Sequence, residues 1–268
     1  MGMAVGGREL SIELDTFQIL FFRSLIGLFI LSLVLFHNGW HLVKTGHFPL
    51  HLLRNISHFG GQYGWFYGIA YIPLAEVFAI EFTLPVWTAI LAALILKEHM
   101  TIPRVLAIVF GITGMLVILR PGTGVFNPIS LIVLASAICY GLSHTLTRRI
   151  TGFDKPITIL FYMTLIQLPI GFFLSISNWT IVSLTLWPWL IIVGTAALTG
   201  HYCMARALSI ADATVVVPLD FLRLPLIAVI GYLFYNETLD LFVLMGALIM
   251  LCGNVINIRA EHKHAKSS

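Results

Sequence analysis

Arg23, Glu81, Asp220 and Arg223 each stand inside a long apolar run of the chain. In hydrocarbon a formal charge costs from about 2.5–3.5 kcal/mol upward, so each of the four needs a partner, a polar cavity or a ligand. Two uses of these charges follow. They can line the path of a polar solute, or Asp220 and Arg223, three residues apart on one helix face, can neutralise each other. An Arg23–Glu81 pair is a further structural option. If Arg223 serves Asp220, Glu81 is left as the candidate proton carrier. Aromatic residues adjoin both acids, Phe82 beside Glu81 and Phe221 beside Asp220, with Trp87 and Tyr140 as further candidates for holding a cation or a flat ring. Pro85 falls in the run carrying Glu81, and Pro218 and Pro225 in the run carrying Asp220. Each proline ring frees a backbone carbonyl one turn earlier, which at membrane depth is tolerated where it faces protein or water.

The elements that position these residues follow from composition. Of 268 residues, 59% are hydrophobic and 10% are charged, too few charges to cover a soluble protein of this size. The chain is therefore read as an all-α integral membrane protein. With about 20 apolar residues needed per crossing, nine spans are expected near 17–36, 51–71, 74–96, 103–119, 128–147, 156–176, 187–207, 212–235 and 241–258. Turn residues or charges separate them, as in His37-Asn38-Gly39, Arg120-Pro121-Gly122 and Asp154-Lys155-Pro156. Three dispersed cysteines, Cys139, Cys203 and Cys252, give no disulfide or zinc framework.

Sliding the chain against itself by 139–140 residues brings two halves into register. Glu81-Phe82 meets Asp220-Phe221, Glu98 meets Glu237, Gly61 meets Gly200, Gly114 meets Gly253 and Arg120 meets Arg259. Two units follow, residues 1–120 and 121–268. The second has five spans and the first four complete ones, because Met1 falls opposite Gly141 in the middle of a span. The expected parent has ten helices, with its first helix truncated or missing here; a misplaced start site explains this more simply than a nine-helix variant. Lys and Arg collect on one side of the alternating loops, eleven against Arg8 and Arg120, which assigns that side and the C-terminus to the cytoplasm. Five helices per unit would place the two units inverted in the membrane.

Ile72-Pro73-Leu74-Ala75-Glu76 through Leu96-Lys97-Glu98 resembles the first half-repeat of the drug/metabolite transporter superfamily. Ala211-Asp212-Ala213-Thr214 through Pro218-Leu219-Asp220-Phe221-Leu222-Arg223-Leu224-Pro225 and on to Tyr235-Asn236-Glu237 resembles the second. Both look like EamA-type repeats, over nearly the whole chain. The resemblance implies ten helices, alternating access and small organic metabolites as substrates, with amino-acid exporters and carriers of S-adenosylmethionine or riboflavin among the matching members. The absent first helix is the departure from that pattern.

The remaining motifs are weaker. His47, His51, Arg54 and His58 form one helical stripe, read as an interfacial polar face rather than a metal site, since no further soft ligand or carboxylate accompanies them. Gly60, Gly64 and Gly68 give two GxxxG spacings, read as packing within the bundle, with a homodimer as the alternative use. His144 and His201 are polar residues inside spans, either structural or facing a cavity. Trp40, Trp179, Trp187 and Trp189 near span ends read as interfacial anchors. Phosphate-binding and HExxH motifs are absent from the sequence. The leading reading is a secondary transporter of the bacterial inner membrane, moving a zwitterionic or cationic, partly aromatic metabolite, with no cofactor, no metal and no nucleic-acid partner, and with protons as a candidate coupling ion. The runner-up is an intramembrane enzyme acting on a lipid or isoprenoid; a lipid-headgroup carrier or scaffold comes third. The topology predicts that reporter fusions place the 97–104 loop in the cytoplasm and the 236–240 loop outside; both loops on one side would remove the inverted arrangement.

Overall fold

Local chemistry sets where the apolar runs begin and end as helices. The short α1 (Gly2–Leu10) is followed by α2 (Thr16–Asn38), capped by Asp15, whose carboxylate accepts from the Phe17 N–H at 2.8 Å. Gly39, at φ 99°, ends α2 with a backbone geometry that a side chain would strain. Prolines open α3 (Phe48–Tyr71), α5 (Leu84–Leu91), α6 (Ile102–Leu119), α8 (Pro156–Ser175) and α9 (Trp187–Ile210), where the missing N–H costs nothing. The set is completed by α4 (Leu74–Glu81), α7 (Ile129–Ile150), α10 (Arg223–Tyr235) and α11 (Leu241–Ser267). The structure is a computed structural model that describes residues 1–97, 100–121, 127–211, 216, 223–238 and 240–267. Asp220 and Phe221 lie outside the described residues, as do Glu98 and Pro218.

Among the described residues the fold is entirely helical, and seven helical segments are long and apolar enough to cross a membrane. Two of the nine expected spans differ. α3 is long enough at 24 residues, but its polar stripe lowers its hydropathy and it is not among the seven. The expected 212–235 span is described as a helix only from Arg223 onward. The outer surface suits lipid, with Phe29, Phe36 and Phe173 each at least 65% exposed.

The segment expected as one span over 74–96 is broken. α4 stops at Glu81, Phe82 and Thr83 turn, and α5 starts at Leu84 with Pro85 next. The Thr83 hydroxyl donates to the Ile80 carbonyl at 2.9 Å, which satisfies an acceptor at the break. This segment is the most buried of the seven, 61% against 22% for α6, so the break lies deep in protein.

The helices pack in pairs: α2 with α8, α3 with α7, α6 with α11, α1 with α9, and α4 with α10. Gly60, Gly64 and Gly68 all face α7 within the chain, where a Cβ on Gly64 would lie 2.8 Å from the Ile132 carbonyl oxygen. Between α6 and α11 the approach is tighter still. A Cβ on Gly114 would lie 2.5 Å from the Gly246 carbonyl oxygen, and one on Gly246 would lie 2.5 Å from the Gly114 oxygen. Gly114→Leu is therefore expected to separate the two helices and to destabilise the protein by about 1–3 kcal/mol. Thermal unfolding in detergent checks this, with Gly46→Ala, where a Cβ meets nothing within 4 Å, as the neutral control.

Candidate functional site

The break after Glu81 aims its carboxylate into the bundle. Trp65 of α3, only 2% exposed, donates its indole N–H to Glu81 Oε2 at 2.8 Å. From the other half of the chain, Arg223 at the start of described α10 donates to Glu81 Oε1 at 3.2 Å. The same guanidinium lies 5.4 Å from the ring centroid of Phe78, one turn before Glu81, a distance suited to a cation–π contact. Indole, carboxylate, guanidinium and phenyl ring thus form one cluster on three helices.

A cavity of about 270 Å³ opens beside this cluster. Trp65, Glu81 and Arg223 form one wall, and Tyr140 and His144 of α7 a second. Gly200, His201 and Met204 of α9 form a third, with Met1 and Met3 closing a side. Tyr140 reaches the cavity because Gly61 makes room: a Cβ there would lie 2.9 Å from the Tyr140 ring.

Behind the α9 wall runs a buried polar layer. The ring centroids of His201 and His58 are 4.6 Å apart, and His58 Nδ1 accepts from Gln62 at 2.7 Å and from Gln167 at 3.0 Å. Gln167 Oε1 accepts from Arg23 at 3.0 Å. Arg54 donates to Asn55 at 2.7 Å and to Thr147 at 3.1 Å. The histidine stripe expected at the interface therefore turns inward. His51, Arg54 and His58 are at most 3% exposed, and only His47 remains outside. The physical reason is that polar side chains in hydrocarbon gain most from facing other polar groups in the bundle interior.

Of the residues singled out by sequence, Glu81, Tyr140 and Arg223 meet at the cavity. Arg23 is buried one layer behind it and bonds to Gln167 rather than to Glu81. Trp87 does not line the cavity; its indole donates to Thr83 at 3.0 Å and so steadies the break. Phe82 is buried in the apolar core. Of the uses open to Arg223, the described residues hold a contact with Glu81, and any contact with Asp220 falls outside them. Sequence reading passed over Trp65, Gln62, Asn55 and Gln167. The i, i+4 spacing of His51-Asn55 and of His58-Gln62 is the signal that could have marked Asn55 and Gln62 as neighbours of the histidines on one face.

The bundle and its buried charged cavity define a multi-pass membrane carrier of small molecules. The chain belongs to the EamA-like transporter family, which it matches over residues 2–120 and again over 127–259. It is 27% identical over 263 residues to an S-adenosylmethionine uptake transporter of Rickettsia prowazekii, covering 98% of this chain and 90% of that one. It is 30% identical over 250 residues to a riboflavin transporter of Brucella anthropi, covering 91% and 88%, and 27% identical to a pseudopaline exporter of Pseudomonas aeruginosa, covering 91% and 86%. A solved crystal structure superposes on 98% of this chain and 96% of its own with a TM-score of 0.71 at 14% identity, which shows a shared fold. The protein is a secondary transporter for a small metabolite and not an enzyme; nothing in these relatives supports the lipid-modifying alternative.

The geometry makes Glu81 and Arg223 energetically coupled. A double-mutant cycle of Glu81→Gln and Arg223→Gln is expected to return a coupling of about 0.5–3 kcal/mol, reduced by the partial exposure of Arg223. Thermal unfolding of the four proteins measures it, and additivity would mean that the pair is not formed in solution.

Proposed function

We propose that the chain carries a zwitterionic or cationic, partly aromatic metabolite of amino-acid, S-adenosylmethionine or flavin type across the bacterial inner membrane. Transport proceeds by alternating access between inverted units 1–120 and 121–268, with the C-terminus cytoplasmic. The observation that carries this reading is the Glu81–Arg223 pair, which joins the two units at the wall of the cavity. A cationic group of the substrate can take the place of Arg223 on Glu81, while Tyr140 and Trp65 offer ring faces.

The inverted arrangement draws support from how matched elements meet. Gly114 packs on Gly246 and Ala107 on Gly253, and at an offset of 139 each of these contacts is the image of the other. The sequence numbers run in opposite directions along the seam, so α6 and α11 are antiparallel. Phe21 against Gly171 and Gly27 against Thr164 give the same sense for α2 and α8. Arg8 and Arg120, the two loop cations on the side read as external, are each salt-bridged, to Glu237 and Asp240 respectively. Glu237 also accepts from the Leu74 N–H at 2.9 Å, so one acid ties α1, α4 and the end of α10 together at that face. On the opposite face Asp154 accepts from Thr45 at 2.6 Å and meets His51 at 2.9 Å. Alternating access then consists of exchanging one tie for the other.

Proton coupling, in this reading, uses competition at one carboxylate. A proton on Glu81, the Arg223 ion pair and a substrate cation are mutually exclusive claims on the same oxygens. Glu81→Gln removes that competition. In proteoliposomes it is expected to abolish accumulation driven by a pH gradient while exchange of labelled for unlabelled substrate persists at a lower substrate affinity. A thermal-shift panel of amino acids, S-adenosylmethionine and riboflavin selects the substrate beforehand. Gradient-driven accumulation at the wild-type level in Glu81→Gln would remove Glu81 from the coupling step.

A further inference from the structure

Among the described residues, Arg23 is a charge without a counter-charge. It is 97% buried by its 3% exposure, and its one hydrogen bond goes to the neutral amide of Gln167. Its Nε and Nη1 atoms are buried and have no partner. The next cation, Arg54, is equally buried and bonds only to the neutral side chains of Asn55 and Thr147. It lies near enough to Arg23 for the two to repel. A guanidinium in low dielectric that lacks an anion is costly, and nothing in the apolar packing of α2 requires one at this position.

The empty donors lie one residue behind the cavity wall. A cleft of about 10 Å³ against Arg23 is lined by Ser24, Thr164 and Ala197, and Ala197 also lines the large cavity. A volume of this size holds about one oxygen atom. On the cavity wall itself, His144 Nδ1 and His201 Nε2 are buried and have no partner. His144 is only 7% exposed. Unsatisfied donors on Arg23, one layer behind Ala197, thus lie close to a part of the cavity wall where two histidines carry unsatisfied nitrogens.

We propose that this side is a subsite for the carboxylate of the substrate, with Arg23 as its charge partner and His144 and His201 as hydrogen-bonding groups. The inference rests on the carrier reading above and sharpens it: the favoured cargo carries a carboxylate as well as a cation. One carboxylate oxygen enters the cleft toward Arg23, and the remainder of the molecule occupies the cavity with its cation toward Glu81. The substrate's cation then displaces Arg223 from Glu81, and the buried excess of positive charge at Arg23 is balanced only when substrate is bound.

The test uses ligand pairs that differ by one carboxylate, S-adenosylmethionine against its decarboxylated form and tryptophan against tryptamine. Calorimetric binding to the purified full-length protein is expected to favour the carboxylated member of a pair by about ten-fold or more, the range for charge-assisted hydrogen bonds. Arg23→Gln is expected to remove that preference and to leave affinity for the decarboxylated member unchanged. Because misfolding of Arg23→Gln would also remove the preference, Gln167→Glu supplies the decisive second variant. It places an internal carboxylate on Arg23, and should raise thermal stability without ligand while abolishing the carboxylate preference. Equal affinity within the pairs in wild type, or a preference that survives in Gln167→Glu, overturns the subsite. Transport of riboflavin without binding of either carboxylated ligand overturns the subsite and leaves the carrier reading standing. Carboxylate-selective binding without transport of any ligand in proteoliposomes supports the subsite and overturns the assigned cargo.

Discussion

The carboxylate of Glu81 is the group around which the interior is arranged. A buried acid in a lipid-embedded bundle must find donors within the protein, and this one finds them on two other helices, Trp65 of α3 and Arg223 of α10. That demand explains the break in the helical segment at Phe82-Thr83, the Thr83 hydroxyl that satisfies the Ile80 carbonyl there, and the Trp87 indole that holds Thr83. The halves of the chain meet through the same ion pair. A carrier needs a contact of this kind, strong enough to close the interior and specific enough for a charged ligand to replace it.

Behind the cavity, the polar layer of Arg23, Arg54, Asn55, His58, Gln62 and Gln167 obeys the same constraint with a different solution. Amides link two cations that have no acid among their hydrogen-bond partners in the described residues. Helices α2, α3 and α8 are held by these bonds, and glycine contacts bring α3 close to α7. Lipid gives helices no hydrophobic reason to associate, so close backbone approach and buried hydrogen bonds supply the cohesion. The glycine seam between α6 and α11 does this at the rim, where α6 is the least buried of the membrane-length segments. Rigid seams at the periphery and exchangeable polar contacts in the centre suit a protein that must change shape about its middle.

Membership of a transporter family and the relatives' cargo frame the chemistry without fixing it. S-adenosylmethionine combines a cationic sulfonium, an amino acid and an aromatic base, whereas riboflavin is a neutral, flat ring system. The cavity here has ring faces from Trp65 and Tyr140, an acid paired with a cation, and histidines with unused nitrogens. Its charged composition is closer to what an amphoteric ligand requires.

Much was legible from sequence because a bilayer imposes simple rules. The scarcity of charge marked the membrane, the length of the apolar runs marked most of the helices, and an acid or arginine in such a run was conspicuous. Glu81 and Arg223 stood out in this way and Tyr140 as an aromatic inside a span, and the family followed from residues 72–98 and 211–237. What sequence could not decide was partnership. An Asp220–Arg223 pair was one of two readings left open by spacing, and tertiary packing brings Arg223 to Glu81, from which it is separated by 142 residues. Arg23 was placed in the site and lies one layer behind it, and the histidine stripe was assigned to the interface but lines the interior. Trp65 and the buried amides were overlooked because uncharged polar residues do not stand out in a hydropathy pattern. Periodicity along one helix fixes which residues share a face; only the packing of several helices decides what that face meets.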